Sequence, residues 1–194
     1  AVLAGGRPVF DVKGAVIGGH ATMIDAIRVH TEGIGGDSHV RNTELGDQRL
    51  TIGPRRVVPL VVAAQDNDGV IQMLEEQSRN STPRDTDGMY FWLRGGGSNW
   101  DARSKAEHQI LEALSATPSG RPYQDVINSG LQRNAADRLL NAGVLVMAGF
   151  TPTDAMHVLA LDLRYRPKPA ILGAQLLARS RNQFGESLGT DSTD

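Results

Sequence analysis

The residues best suited to chemistry stand together in Gly33-Ile34-Gly35-Gly36-Asp37-Ser38-His39. Glycine lets a backbone approach a ligand closely, and consecutive N–H groups can turn inward on an anion. Ser38 adds a hydroxyl, and Asp37 adds a carboxylate able to hold a cation directly or through water. Gly33, Gly35, Gly36, Asp37 and Ser38 are therefore the candidate phosphate-contacting residues, with Asp37 the candidate metal ligand. His30 and His39 flank the loop as weaker candidates. The same three glycines also suit a plain mobile turn. Neither G-x-G-x-x-G nor G-x-x-x-x-G-K-[ST] is present, so the standard nucleotide fingerprints do not decide between the two.

The elements that must position this loop begin with a strand. In Ile24 to Val29, Ile27 and Val29 alternate with Arg28 and His30, a period of two. Upstream, Val2-Leu3 and Val9 to Val12 flank a Gly5-Gly6 turn, and Ala15 to Ile17 is a further strand. The chain starts without Met in mid-pattern, as a hairpin whose first strand is cut short, and is expected to be a piece of something longer. Downstream, Arg49 to Gly53 is a short strand. Val57 to Ala64 is an apolar run whose Pro59 predicts an edge strand or an irregular crossing segment. Gly69 to Glu76 predicts one or two helical turns, residues 75–89 a polar linker, Tyr90 to Leu93 a strand, and Gly95 to Ser98 a hinge. Two acidic turns, at Asp66 and Asp85, lack the third acid and the Glu that a calcium loop needs.

Composition sets the outer limits. The chain has 194 residues, 40% hydrophobic and 22% charged, enough to bury a core. A net charge of −2 gives no general pull toward nucleic acid or anionic membrane. The absence of cysteine excludes disulfides, thiolate metal sites and cysteine nucleophiles. No apolar run approaches the roughly 18 residues of a membrane span, and the N-terminus lacks signal-peptide character. A cytoplasmic location is the expectation.

A helical pattern begins near Asp101. Ser104 and Glu107 fit a capping box, and Ala106, Ile110, Leu111 and Leu114 stripe about three turns. Pro122 opens a short helix with Tyr123, Val126 and Ile127 inward. Leu131, Ala135, Leu139 and Leu140 stripe a third helix, and Val144 to Met147 is a strand. This is the winged-helix order, and Gln132, Arg133, Asn134 and Arg138 could face a groove. Residues 101–150 hold five basic and five acidic side chains, which argues for a structural insert over a nucleic-acid reader.

Gly149-Phe150-Thr151-Pro152-Thr153-Asp154-Ala155-Met156-His157-Val158-Leu159 follows. Thr151 is an N-cap, Pro152 the first helical residue, and Asp154 an acid in the first turn; a well-capped helix accounts for all three. His157 is either a satisfied partly buried histidine or a site residue. A last helix spans Ala170 to Arg179 with Ile171, Ala174, Leu177 and Ala178 inward, and a polar tail expected to be disordered follows.

Two blocks, Ile27 to Ser38 with Leu50 to Arg56, and Gly149 to Leu159, resemble the hydantoinase/oxoprolinase family. These are the A-type subunits of ATP-dependent hydantoinases, 5-oxoprolinases and acetone carboxylases. The resemblance is strongest over residues 1–60 and 149–178. The common family form has a third consecutive glycine where this chain has Asp37. The loop therefore also resembles the Gly-Gly-acid turn of the heat-shock chaperone ATPases, which share the actin-like ATPase superfamily.

The resemblance implies a mixed α/β (α+β) fold, part of an actin-like, ribonuclease H-like ATPase lobe. Residues 1–100 would be the lobe with its loop and 101–148 the winged-helix-like insert. Residues 149–179 would be the lobe's returning helices and 180–194 a tail. It also implies that the main D-x-G-G-T-x-x-D phosphate loop lies upstream in a longer protein. The implied activity is ATP- and Mg²⁺-dependent hydrolysis of a cyclic amide such as a hydantoin or 5-oxoproline. A B-type partner subunit, a homo-oligomer, and no nucleic-acid or membrane partner are implied with it. The alternative is a winged-helix nucleic-acid-binding or regulatory module without catalysis. No residue stands out as a nucleophile.

Overall fold

Tyr90-Phe91-Trp92-Leu93 is apolar at every position, as a strand covered on both faces must be. In the computed structural model, which describes residues 3–11, 16–17, 20–21, 26–27, 33–42, 50–97 and 100–180, it is the inner strand of a four-stranded mixed sheet. The chain divides into two units, residues 1–33 and 34–194. The class is mixed α/β.

In the first unit, three short antiparallel pairs are described. They are β1 (Leu3–Ala4) with β2 (Arg7–Pro8), β3 (Phe10–Asp11) with β6 (Ala26–Ile27), and β4 (Val16–Ile17) with β5 (His20–Ala21). Arg28, Val29, His30, Thr31 and Glu32, the expected strand end before the glycines, lie outside the described residues. The polar tail from 181 lies outside them too.

The second unit opens with an antiparallel hairpin, β7 (Ser38–Asn42) against β8 (Leu50–Arg56), with a bulge between Ser38 and Val40. The apolar run after it divides into β9 (Val58–Pro59) and the short helix α1 (Leu60–Ala63). Proline lacks a donor, and here it ends an edge strand and opens a helix. Then come α2 (Asp68–Arg79), β10 (Tyr90–Leu93), a 3₁₀ turn at Arg94–Gly97, and α3 (Lys105–Ser115). They are followed by β11 (Arg121–Pro122), α4 (Tyr123–Val126), α5 (Gly130–Asn141), β12 (Leu145–Gly149), α6 (Pro152–Val158) and α7 (Lys168–Arg179). The sheet order is β11-β10-β12-β9. The first two neighbour pairs are antiparallel, and β12 runs parallel to β9.

The period of two in β10 sorts its side chains between two cores. Phe91 and Leu93 pack with Ile110, Leu114, Val126, Ala135 and Leu139 from α3, α4 and α5. Tyr90 and Trp92 face Leu60, Val70, Leu74 and Leu176 from α1, α2 and α7. Helices therefore cover both faces of the sheet.

Some helix faces differ from the expected stripes. Leu131 keeps helical spacing with Ala135 yet is 76% exposed, because the buried stripe of α5 starts one turn later at Ala135, Ala136 and Leu139. In α7 the buried face is Pro169, Ala170, Gly173 and Leu176, and Ile171 points to solvent. The large apolar residues misplaced that stripe, whereas Gly173 is what lets α7 lie against Leu60. Ser104 caps α3 as expected, accepting from the Glu107 N–H. The Glu107 carboxylate does not close the box. It accepts instead from the Arg103 N–H and from Arg138 Nε, each at 2.8 Å, and from Trp100 Nε1 at 3.5 Å. Residues 80–89 end in buried Gly88 and Met89, with the Gly88 N–H donating to Gln77 Oε1 at 2.8 Å, so this stretch is tied down at its end.

Candidate functional site beside the glycine turn

Residues 35–38 form a closed turn. The Ser38 N–H donates to the Gly35 carbonyl at 3.0 Å, and the Gly35 N–H donates to Ser38 Oγ at 2.8 Å. Ser38 is fully buried, and its hydroxyl serves the turn. The Gly36 carbonyl accepts from the Thr153 N–H at 3.0 Å, and Thr153 Oγ1 lies 2.8 Å from where a Gly36 Cβ would stand. The Phe150 carbonyl accepts from the Val40 N–H at 2.9 Å. The two sequence stretches, 110 residues apart, therefore meet: the glycine turn is seated on the start of α6. Gly33 is the last residue of the first unit.

Within the turn the N–H groups of Gly36 and Asp37 carry no hydrogen bond among the described residues. The Asp37 carbonyl accepts from the Val57 N–H, and the Asp37 carboxylate pairs with Arg56 at 3.2 Å. Asp37 borders a pocket of about 260 Å³ whose other charged lining groups are Arg55, Arg56 and Arg94, above an apolar wall of Val57, Leu145 and Met147. Arg55 is paired outward to Asp137 at 2.9 Å. The Arg94 guanidinium has no hydrogen bond or ion pair among the described residues. With Arg55 committed to Asp137, Arg56 and Arg94 stand against the single carboxylate of Asp37, and this surplus of one guanidinium makes the pocket a place for an anion.

That environment is what the structure places around Asp37, the candidate metal ligand. Its carboxylate faces guanidinium groups, and among the described residues no cluster of three or more His, Asp or Glu forms around it or elsewhere. This donor set does not suit a resident divalent cation, which takes most of its ligands from carboxylate, carbonyl or water oxygens. Arg94 was missed in the sequence because it precedes glycines that read as a hinge and belongs to no motif.

His39 is buried behind the turn with its ring over Gly149. Burial, then the nearby Arg41 and Arg55, lowers its pKa from 6.5 to about 3. A depressed histidine pKa means that the unfolded chain binds the proton more readily. The contribution is complete above pH 6.5 and is lost as pH falls toward 3. Lowering pH from 7.5 to 4.5 should cost about 2–3 kcal/mol through this residue alone. Urea denaturation at the two pH values checks this: His39→Gln should lose less stability than wild type by about that amount, and equal losses would contradict it.

His157, also buried, donates from Nδ1 to the Thr153 carbonyl at 2.9 Å, stacks on Tyr165, and has Asp162 3.6 Å from Nε2. It braces the same first turn of α6 that holds Gly36. Among the described residues no helix is long and apolar enough to cross a membrane. Compared with family models, curated proteins and solved structures, the chain finds no match.

Proposed function

We propose that the chain is the nucleotide-contacting part of an ATP-dependent hydrolase acting on cyclic amides of the hydantoin or 5-oxoproline type. The observation that carries this is the surplus of guanidinium groups at the pocket beside the glycine turn. The resemblance of residues 27–38, 50–56 and 149–159 supplies the reaction class. An unstrained lactam resists hydrolysis, and ATP, when bound, supplies the phosphoryl group that makes its carbonyl carbon electrophilic. The part of this chain is binding and orientation. Arg56 and Arg94 offset negative charge, the free N–H groups of Gly36 and Asp37 supply two more donors, and the seat on α6 keeps the turn rigid. Mg²⁺ would arrive with the phosphates, without a cage of protein carboxylates. A cyclic amide substrate, a B-type partner subunit and a homo-oligomer complete the proposal.

The nucleic-acid alternative is weaker on two engagements of α5. Arg138 is held by buried Glu107, and Asp137 is held by Arg55, which leaves Arg133 as the single unpaired basic side chain of the helix among the described residues, too little for a phosphate-binding face.

Calorimetric titration with Mg²⁺–ATP and with tripolyphosphate tests the proposal. Weak binding is expected, half-saturating at roughly 0.1–1 mM, with Arg94→Ala weaker by about tenfold. Asp37→Ala removes a repulsive carboxylate and should strengthen binding of both ligands. No binding of either ligand at 10-fold higher concentration than about 1 mM would end the nucleotide reading. Loss of Mg²⁺–ATP binding alone in Asp37→Ala would restore a metal-holding role to Asp37.

A further inference from the structure

A second cavity, of about 170 Å³, is lined by the Arg55–Asp137 pair and lies between the β7–β8 hairpin, the turn at Asp85 and α5. Its inner wall is apolar and aromatic: Met89, Phe91 and Met147 are buried, and Tyr123 is half-buried with its ring 5.2 Å from that of Phe91. An apolar cavity of about 150 Å³ is large enough to admit a benzene ring. Methionine sulfur and aromatic edges are favourable partners for such a ring.

The mouth is charged. Arg41 and Arg133 are exposed there, and neither guanidinium has a hydrogen bond or ion pair among the described residues. The lining carries Arg41, Arg55 and Arg133 against Asp85 and Asp137, one positive charge in excess, and Asp137 is already matched by Arg55. A single surplus charge above an apolar, aromatic wall suits a monoanion with an apolar body. The planar fork of arginine suits a carboxylate.

We propose that this cavity binds a compact monocarboxylate with an aromatic or similarly sized apolar body, its ring on Met89, Phe91 and Met147 and its carboxylate between Arg41 and Arg133. The positive potential of Arg41 and Arg55 that helps keep His39 uncharged is the potential such a ligand would meet. The cavity shares Arg55, Leu140 and Met147 with the pocket at Arg94 but none of its other lining residues, and the proposal does not depend on the nucleotide reading.

Benzoate is the probe, followed through the methionine methyl resonances of the full chain. Met89 and Met147 should shift on titration through the ring current, whereas Met73 and Met156, which do not line the cavity, should not. Benzamide, which lacks the charge, and acetate, which lacks the ring, should each bind at least tenfold more weakly. Arg133→Ala and Arg41→Ala, both at exposed positions, should each weaken benzoate about tenfold, and Arg94→Ala should leave it unchanged. Benzamide binding as well as benzoate, unmoved Met89 and Met147, or unchanged affinity in both mouth variants would each overturn the proposal. So would shifts spread equally over all five methionine methyls.

Discussion

Gly120→Ala is expected to destabilise the chain by about 3–5 kcal/mol, lowering the melting temperature by roughly 10 °C or more. Two independent costs combine. Gly120 has φ +94°, where an L side chain is strained by about 1–2 kcal/mol. A Cβ built there would also overlap the Phe91 carbonyl oxygen and lie 2.7 Å from Tyr90 Cε1 and 3.0 Å from Trp92 Cβ. The obstacle is the backbone of the central strand, which cannot move aside. The position is fixed on both sides: the Gly120 N–H closes the turn onto the Thr117 carbonyl at 2.8 Å, and its carbonyl accepts from the buried Tyr90 hydroxyl at 2.9 Å. The next residue, Arg121, is already in register with Phe91. Gly88→Ala is the control. Its φ is +82°, but a Cβ there meets nothing within 4 Å, so only the conformational cost of about 1–2 kcal/mol should appear. Equal effects at the two positions, read from thermal melts, would mean that the close approach to β10 contributes nothing.

The sequence carried most where a rule is local. The caps at Ser104 and Thr151, Pro152 at the first turn of α6, and the two-faced apolar β10 were all readable, because each depends on residues within a few positions of one another. The helix, short helix, helix, strand order over residues 105–149 was readable for the same reason. What escaped depends on distant partners. Leu60-Val61-Val62-Ala63 holds two β-branched residues and follows a proline, which suits an edge strand or an irregular crossing segment, but its helix is set up from α6. The glycine turn was visible as a cluster, whereas the inward role of Ser38 and the guanidinium surplus around Asp37 required the fold. His39 was visible as a loop residue, but its burial beneath Gly149 was not. Glu107 fitted a capping box by spacing, yet Arg138, 31 residues later, claimed its carboxylate.

Asp154 is where the local reading stopped short most consequentially, and Asp154→Ala is expected to cost about 3–5 kcal/mol. A helix cap alone contributes about 1 kcal/mol. Asp154 does close the capping box of α6: its Oδ2 accepts from the Thr151 N–H at 2.9 Å and from the Thr151 hydroxyl at 2.8 Å. The same carboxylate accepts from the N–H groups of Leu60 at 3.2 Å and Val61 at 2.9 Å. Pro59 offers α1 no side-chain cap, and Leu60 and Val61 are fully buried, so these two donors depend on Asp154. Removing the carboxylate leaves both unsatisfied away from water, at about 1–3 kcal/mol each. Burial pushes the Asp154 carboxyl upward while these hydrogen bonds oppose that shift, so the charge is tolerated only because it is fully used. Thr151→Ala, which spares the α1 contacts, should cost only about 1–2 kcal/mol. Because the first turn of α6 holds Gly36 through Thr153, Asp154→Ala should also speed hydrogen exchange at the Val61 and Thr153 amides. A loss near 1 kcal/mol in urea, with the Val61 amide still protected, would reduce Asp154 to an ordinary cap and remove it as the joint between α1, α6 and the glycine turn.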